Sequence, residues 1–172
     1  VHHLQGKAKL VKATALLELI KEFHRDKLGM FKRHVAAARH VGNYDFNNTY
    51  QYIIAREDMH VAWVRDAILA LGGTPDDVPE VTVHADGKGE TAQTKVIAED
   101  RDGAAEFVSR WRPRVDKLTH ARHRTMLNVI LGETLEHKRF FDQALAGRSD
   151  LLGRRADGAG TPGVVLPTRW VE

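Results

Sequence analysis

The sequence predicts an all-α fold: a four-helix bundle of two antiparallel hairpins joined by a long crossover. Three observations predict it. Apolar residues recur at three- and four-residue steps along four long stretches. Glycine, asparagine and proline punctuate those stretches. The connection between the second and third is far longer than the other two. The 172 residues suit one domain. An apolar content of 42% with 28% charged residues is that of a soluble globular protein.

The first helix is expected from about Lys7 to His40, with Leu16, Leu19, Ile20, Phe23, Met30, Phe31, His34, Val35 and Ala38 on one stripe. Gly42 and Asn43 end it. The second runs from about Phe46 to Leu71, with Tyr50, Ile53, Ile54, Glu57, His60, Val61, Val64 and Ile68 on its stripe. "GGTPDDVP" stops it through glycine caps followed by prolines. Residues 72 to about 90 lack helical periodicity, and the one strand-like run, "EVTVHA", has no neighbour to pair with. The third helix is expected from about Glu90 to Trp111. Pro113 suits the first turn of a fourth, which runs to about Ala146 with Val115, Leu118, Met126, Val129, Ile130, Glu133, His137, Phe140 and Phe141 inward. The bundle thus occupies residues 1–147. Residues 148–172 form a Gly-rich tail, extended or partly disordered, whose "VVLPTRW" end could dock on a surface.

Composition narrows the chemistry. There is no cysteine, so disulfides, thiolate metal sites and thiol nucleophiles are excluded. No apolar run approaches the ~18 residues of a membrane span, and "VHHLQGKAKL" has no apolar core of signal-peptide type. A cytoplasmic location is the expectation. The 26 basic and 23 acidic residues are interspersed, with no block that reads as a nucleic-acid tail. The basic run "THARHRTML" reads as a solvated face, and His24 as a surface histidine. Trp63, Trp111, Phe140 and Phe141 read as core anchors, and Met30 and Met126 as gap-fillers.

A weak internal repeat supports two matching halves. With His60 placed over His137, Trp63 meets Phe140, Val64 meets Phe141, Ala67 meets Ala144 and Ile68 meets Leu145. Each half then brings a histidine and a carboxylate inward at similar depth.

Those polar groups are the site candidates. Glu57 and His60 lie three apart and share a helix face, as do Glu133 and His137, four apart. A buried carboxylate needs a partner or a metal. Oxygen and imidazole donors without thiolate suit iron, manganese or zinc. The alternative is a buried polar pair bonded to Lys27 or His34, both at the centre of the first helix's stripe.

"REDMH" followed by "LGGTP" in the second helix, the long crossover, and "LGETLEH" in the fourth together resemble the ferritin-like, rubrerythrin-type di-iron carboxylate proteins. The resemblance covers about Lys7 to Gly147. It implies one carboxylate each from the first and third helices and a Glu-x-x-His pair from each of the others. Carried over, it gives Glu22, Glu57, His60, Asp100, Glu133 and His137 as metal ligands. It also implies two iron ions (or manganese or zinc) and oxidoreductase or iron-handling chemistry toward oxygen or peroxide. The electron donor is unspecified, and a homodimer is expected. The fit is partial. Aligned on His137, Thr134 stands where the family has glutamate, and Glu133 and Glu136 could instead pair with His137 left over. Glu22 lies off the stripe centre, and Lys27 on it could hold a carboxylate in place of a metal. The alternative function is therefore a metal-free bundle serving as a binding or structural protein.

Overall fold

The computed structural model describes residues 2–148 and 150–152. Four helices follow in order: α1 His2–Ala38, α2 Tyr44–Ala70, α3 Glu90–Asp116 and α4 Ala121–Leu145. No strand occurs among the described residues, and "EVTVHA" is irregular. No helix among them is long and apolar enough to cross a membrane.

Local chemistry sets the boundaries. The Asn43 side chain accepts the Phe46 amide at 3.0 Å and caps α2. At the other end Gly72, at φ +77°, turns the chain out of the helix. The Gly72 and Gly73 amides donate to the Leu69 and Ile68 carbonyls at 3.0 and 2.9 Å, a Schellman ending. A Cβ on Gly73 would come within 2.6 Å of Leu17, so the "GG" of "LGGTP" serves both conformation and close packing.

The crossover is tied along α1 by a basic stripe. Arg25 donates to Asp76 at 2.6 Å, Lys32 to the Val78 carbonyl at 2.7 Å, and His40 Nε2 to the Val83 carbonyl at 3.1 Å. These anchors advance along α1 as the crossover advances, so it carries the chain back up the bundle. There α3 begins, with Gln93 accepting the Asn43 amide at 2.8 Å. The helix order is therefore up, down, down, up. Contacts between α1 and α3 run antiparallel, from Arg33–Asp100 through Asp26–Trp111 to Glu22–Arg114.

Two apolar clusters fill the ends of the bundle. One gathers Ala37, Tyr50, Ile53, Ile97 and Phe141; the other gathers Phe23, Val64, Phe107, Trp111 and Leu127. Between them lies a layer of buried polar side chains.

The expectations for the start of the fourth helix, for Val129 and for His24 need correction. Pro113 lies inside α3, which continues to Asp116, because Trp111 and Val115 are fully buried and hold the last turn in place. The break falls at Lys117–His120 instead, so Val115 belongs to α3 and Leu118 to the link. Val129 is 44% exposed, because α4 is centred on Thr134 and not on Glu133. His24 is buried, at 3% exposure. The tail segment 153–172, with "VVLPTRW", lies outside the described residues, whereas Leu151 packs on the first apolar cluster.

Candidate functional site

The polar layer is built on side chains one or two turns apart. On α1, Lys27 and His34 are seven apart and so share a face; on α2, Glu57 and His60 do the same. Glu57, His60, Thr134 and Lys27 are fully buried, and His34, His137 and Asp100 are within 2% of it.

Glu57 is the hub. Its Oε1 accepts from the Lys27 ammonium at 2.7 Å and its Oε2 from His34 Nδ1 at 2.7 Å. Burial alone would raise its pKa, but the charges of His34 and Lys27 hold the carboxyl well below the usual carboxylate range. Lys27 also donates to Thr134 Oγ1 at 3.3 Å, and the Thr134 hydroxyl donates to the Ile130 carbonyl at 2.8 Å. The lysine therefore reaches across the bundle from α1 to both α2 and α4. It lies 3.4 Å from Met30 Sδ and 5.3 Å from the Phe107 ring centroid.

Each remaining candidate carboxylate has its own protein cation. Asp100 accepts from Arg33 Nε at 2.6 Å and from the Tyr50 hydroxyl at 2.5 Å. Burial and the neighbouring Asp100 charge push the Tyr50 phenol well up, so it stays a donor. Glu133 is held by both arms of Arg56 and accepts from His60 Nε2 at 2.6 Å. Glu22 forms a two-armed pair with Arg114, at 2.8 and 2.6 Å, with its side chain 44% exposed on the outer α1–α3 edge.

The imidazoles divide in the same way. Burial lowers His34, but Glu57 and Asp100 outweigh it and raise its pKa. Burial, with Lys27 adding to it, lowers His60 to about 4. Burial also lowers His137 to about 3, despite Glu57 Oε1 at 4.0 Å. His60 and His137 stand nearly parallel with ring centroids 6.2 Å apart. Both ring nitrogens of His137 and Nδ1 of His60 are buried without a hydrogen-bond partner.

The six sequence candidates thus do not form one cluster. Glu57, His60, Glu133 and His137 converge in the α2–α4 half of the layer. Asp100 joins through His34, whose Nε2 is 3.9 Å from Asp100 Oδ1, and Glu22 stands apart on the surface. A di-metal centre does not fit this arrangement. Its ions need negative donors facing one pocket, and here the central carboxylate already binds an ammonium group while the others are neutralised by arginines. Among the described residues, no group of three or more His, Asp or Glu side chains is placed to hold a metal ion. Tyr50 and the arginines were not apparent as partners in the sequence. Arg33 and Arg56 each precede a stripe residue, and that adjacency is the one signal that points to them.

No protein-family model matches the chain, and no curated protein matches it. Among solved structures it is similar to a Dps1 mutant from Mycobacterium smegmatis, with a TM-score of 0.52 and 13% identity over 78% of this chain and 97% of that one. The similarity is one of fold and does not single out a rubrerythrin-type relationship. In fold, the chain is a ferritin-like four-helix bundle.

Proposed function

We propose that this chain is a ferritin-like bundle that works without a di-metal centre, as a binding or structural protein. The observation that carries this reading is the Lys27 ammonium, fully buried and 2.7 Å from Glu57 Oε1. A lysine has no lone pair to give a metal while it is protonated. Its charge balances the central carboxylate, which is what a divalent ion would otherwise do. Thr134, opposite Glu57 in the internal repeat, leaves α4 without the second central carboxylate that two ions would need.

A second reading is iron handling or oxidoreductase chemistry toward oxygen or peroxide, with iron, manganese or zinc. The observation in its favour is the three unpartnered imidazole nitrogens of His60 and His137. Neutral imidazole is the form that binds metal, and both rings are held neutral near pH 7.

Metal analysis separates the two. The first reading expects freshly purified, fully folded protein to carry much less than one equivalent of iron, manganese or zinc, and to take up none on anaerobic reconstitution. Two equivalents of iron, lost in Glu57→Ala and His60→Ala, would establish the second reading.

A further inference from the structure

Beside the polar layer, on the α1–α3 side, a cavity of about 260 Å³ opens between the helices beneath the crossover. Its walls include Gly29 and Met30 of α1, Gly103 and Phe107 of α3, Val81 of the crossover, and His34. Two glycines face it from opposite helices. A Cβ added to either would meet nothing within 4 Å, so packing does not require them. Glycine inside a helix weakens it relative to alanine, and here the return is open volume.

The cavity is apolar in its body and polar at one end. Met30 and Phe107 are the two side chains that touch the Lys27 ammonium group on this side. The mouth carries Arg110, held by Asp26 at 3.0 Å, and Arg33, held by Asp100. Glu106 also lines the cavity, so two arginines face three carboxylates there and the rim does not attract an anion. His34 Nδ1 is bound to Glu57, whereas Nε2 makes no hydrogen bond within the described residues and lies 3.9 Å from Asp100 Oδ1. A small slot with an apolar body, a charged rim and one available polar nitrogen inside offers a ligand both burial and a point of orientation.

We infer that this cavity binds a compact, one-ring molecule carrying a single hydroxyl group, with the ring between Met30, Phe107 and the two glycines and the oxygen on His34 Nε2. A hydroxyl both donates and accepts, so it serves either protonation state of the imidazole. The inference rests on the metal-free reading above and names a ligand class for it.

The test titrates the full-length protein with p-cresol and with p-xylene, which replaces the hydroxyl with a methyl, and follows binding by NMR. The expected result is saturable p-cresol binding, with p-xylene weaker by roughly threefold to tenfold, the worth of one hydrogen bond. Gly103→Leu, on a more exposed stretch of helix, should keep the fold and lower both affinities at least tenfold. Gly29→Leu is the second filling variant, and His34→Phe should bring the two ligands to equal affinity. Folded protein that binds no p-cresol, or binds it equally well in both filling variants, overturns the inference. Equal affinities for the two probes in the unaltered protein overturn the role of His34. Metal content measured on the same sample keeps the failures apart. Iron-loaded protein removes the metal-free reading, whereas iron-free protein that ignores p-cresol removes this inference alone.

Discussion

The two halves of the internal repeat place different groups at the same depth. On α2, Glu57 stands three residues before His60; on α4, Thr134 stands three before His137. Glu57 carries a buried charge and gathers Lys27 and His34 around it. Thr134 carries none, bonds to its own helix at Ile130, and receives only the long contact from Lys27. His60 correspondingly finds a carboxylate at Glu133, whereas His137 finds no hydrogen-bond partner. At the repeat position one half thus carries a charge held by two partners, and the other a neutral hydroxyl beside an imidazole with no hydrogen-bond partner. Paired charges inside a protein are costly to bring in, and more costly still to separate.

The largest effect should follow from breaking the network at its hub. Lys27→Met leaves the Glu57 carboxylate buried with His34 alone, and should cost about 3–5 kcal/mol of unfolding free energy by urea denaturation. Lys27→Met combined with Glu57→Gln removes both charges and should recover a large part of that loss. If the two substitutions simply added, the pair would not be a coupled unit.

Acidification should act next, through one buried histidine of each half. His60 and His137, held to about 4 and about 3 in the folded protein, stay neutral where an unfolded histidine near 6.5 already binds a proton. The unfolded state binds more protons in that window, so stability should fall as pH drops from about 6.5 toward 4, by on the order of a few kcal/mol. The depressed Glu57 carboxyl works in the same direction further down, losing its contribution below the ordinary carboxylate range. His34 runs the other way: its raised pKa adds stability below about 6.5 that is lost as pH rises through its folded value. Thermal melts from pH 8 to pH 4 should show this asymmetry, and His137→Phe should flatten the acid limb.

The smallest effects belong to the outer pairs. Arg56 and Glu133 are 28% and 22% exposed, and Arg56→Ala should cost about 1 kcal/mol at most. Glu22→Ala, at a side chain 44% exposed, should cost still less, within about 0.5 kcal/mol. A loss at Glu22 as large as that at Lys27 would mean that the surface acid has an inward role not visible in its pairing with Arg114.

The bundle was legible because its signals are local and repeated. The α1 and α2 stripes, the "GG" ending of α2 and the long crossover each follow from helix periodicity or cap chemistry. Pro113 misled because its rule is also local. A proline favours a helix start, but burial of Trp111 and Val115 carried α3 past it. The site was legible as a set of inward polar residues, and Lys27 was visible as a rival to metal. What spacing along one helix does not contain is which acid meets which base across helices. Glu133 meets Arg56 and His60 because α4 turns Thr134, not Glu133, to the centre. Asp100 of α3 meets Arg33 of α1 and Tyr50 of α2 because all three helices converge at that level.

The central claim is that a protein ammonium group occupies the place a metal ion would take against Glu57. Crystals grown at neutral pH and soaked in manganese(II), with anomalous diffraction data collected, test it directly. The account predicts no anomalous peak beside Glu57, with the Lys27 nitrogen at hydrogen-bonding distance from its carboxylate. A manganese peak bound by Glu57 together with His60 or His137, with Lys27 displaced, would contradict it.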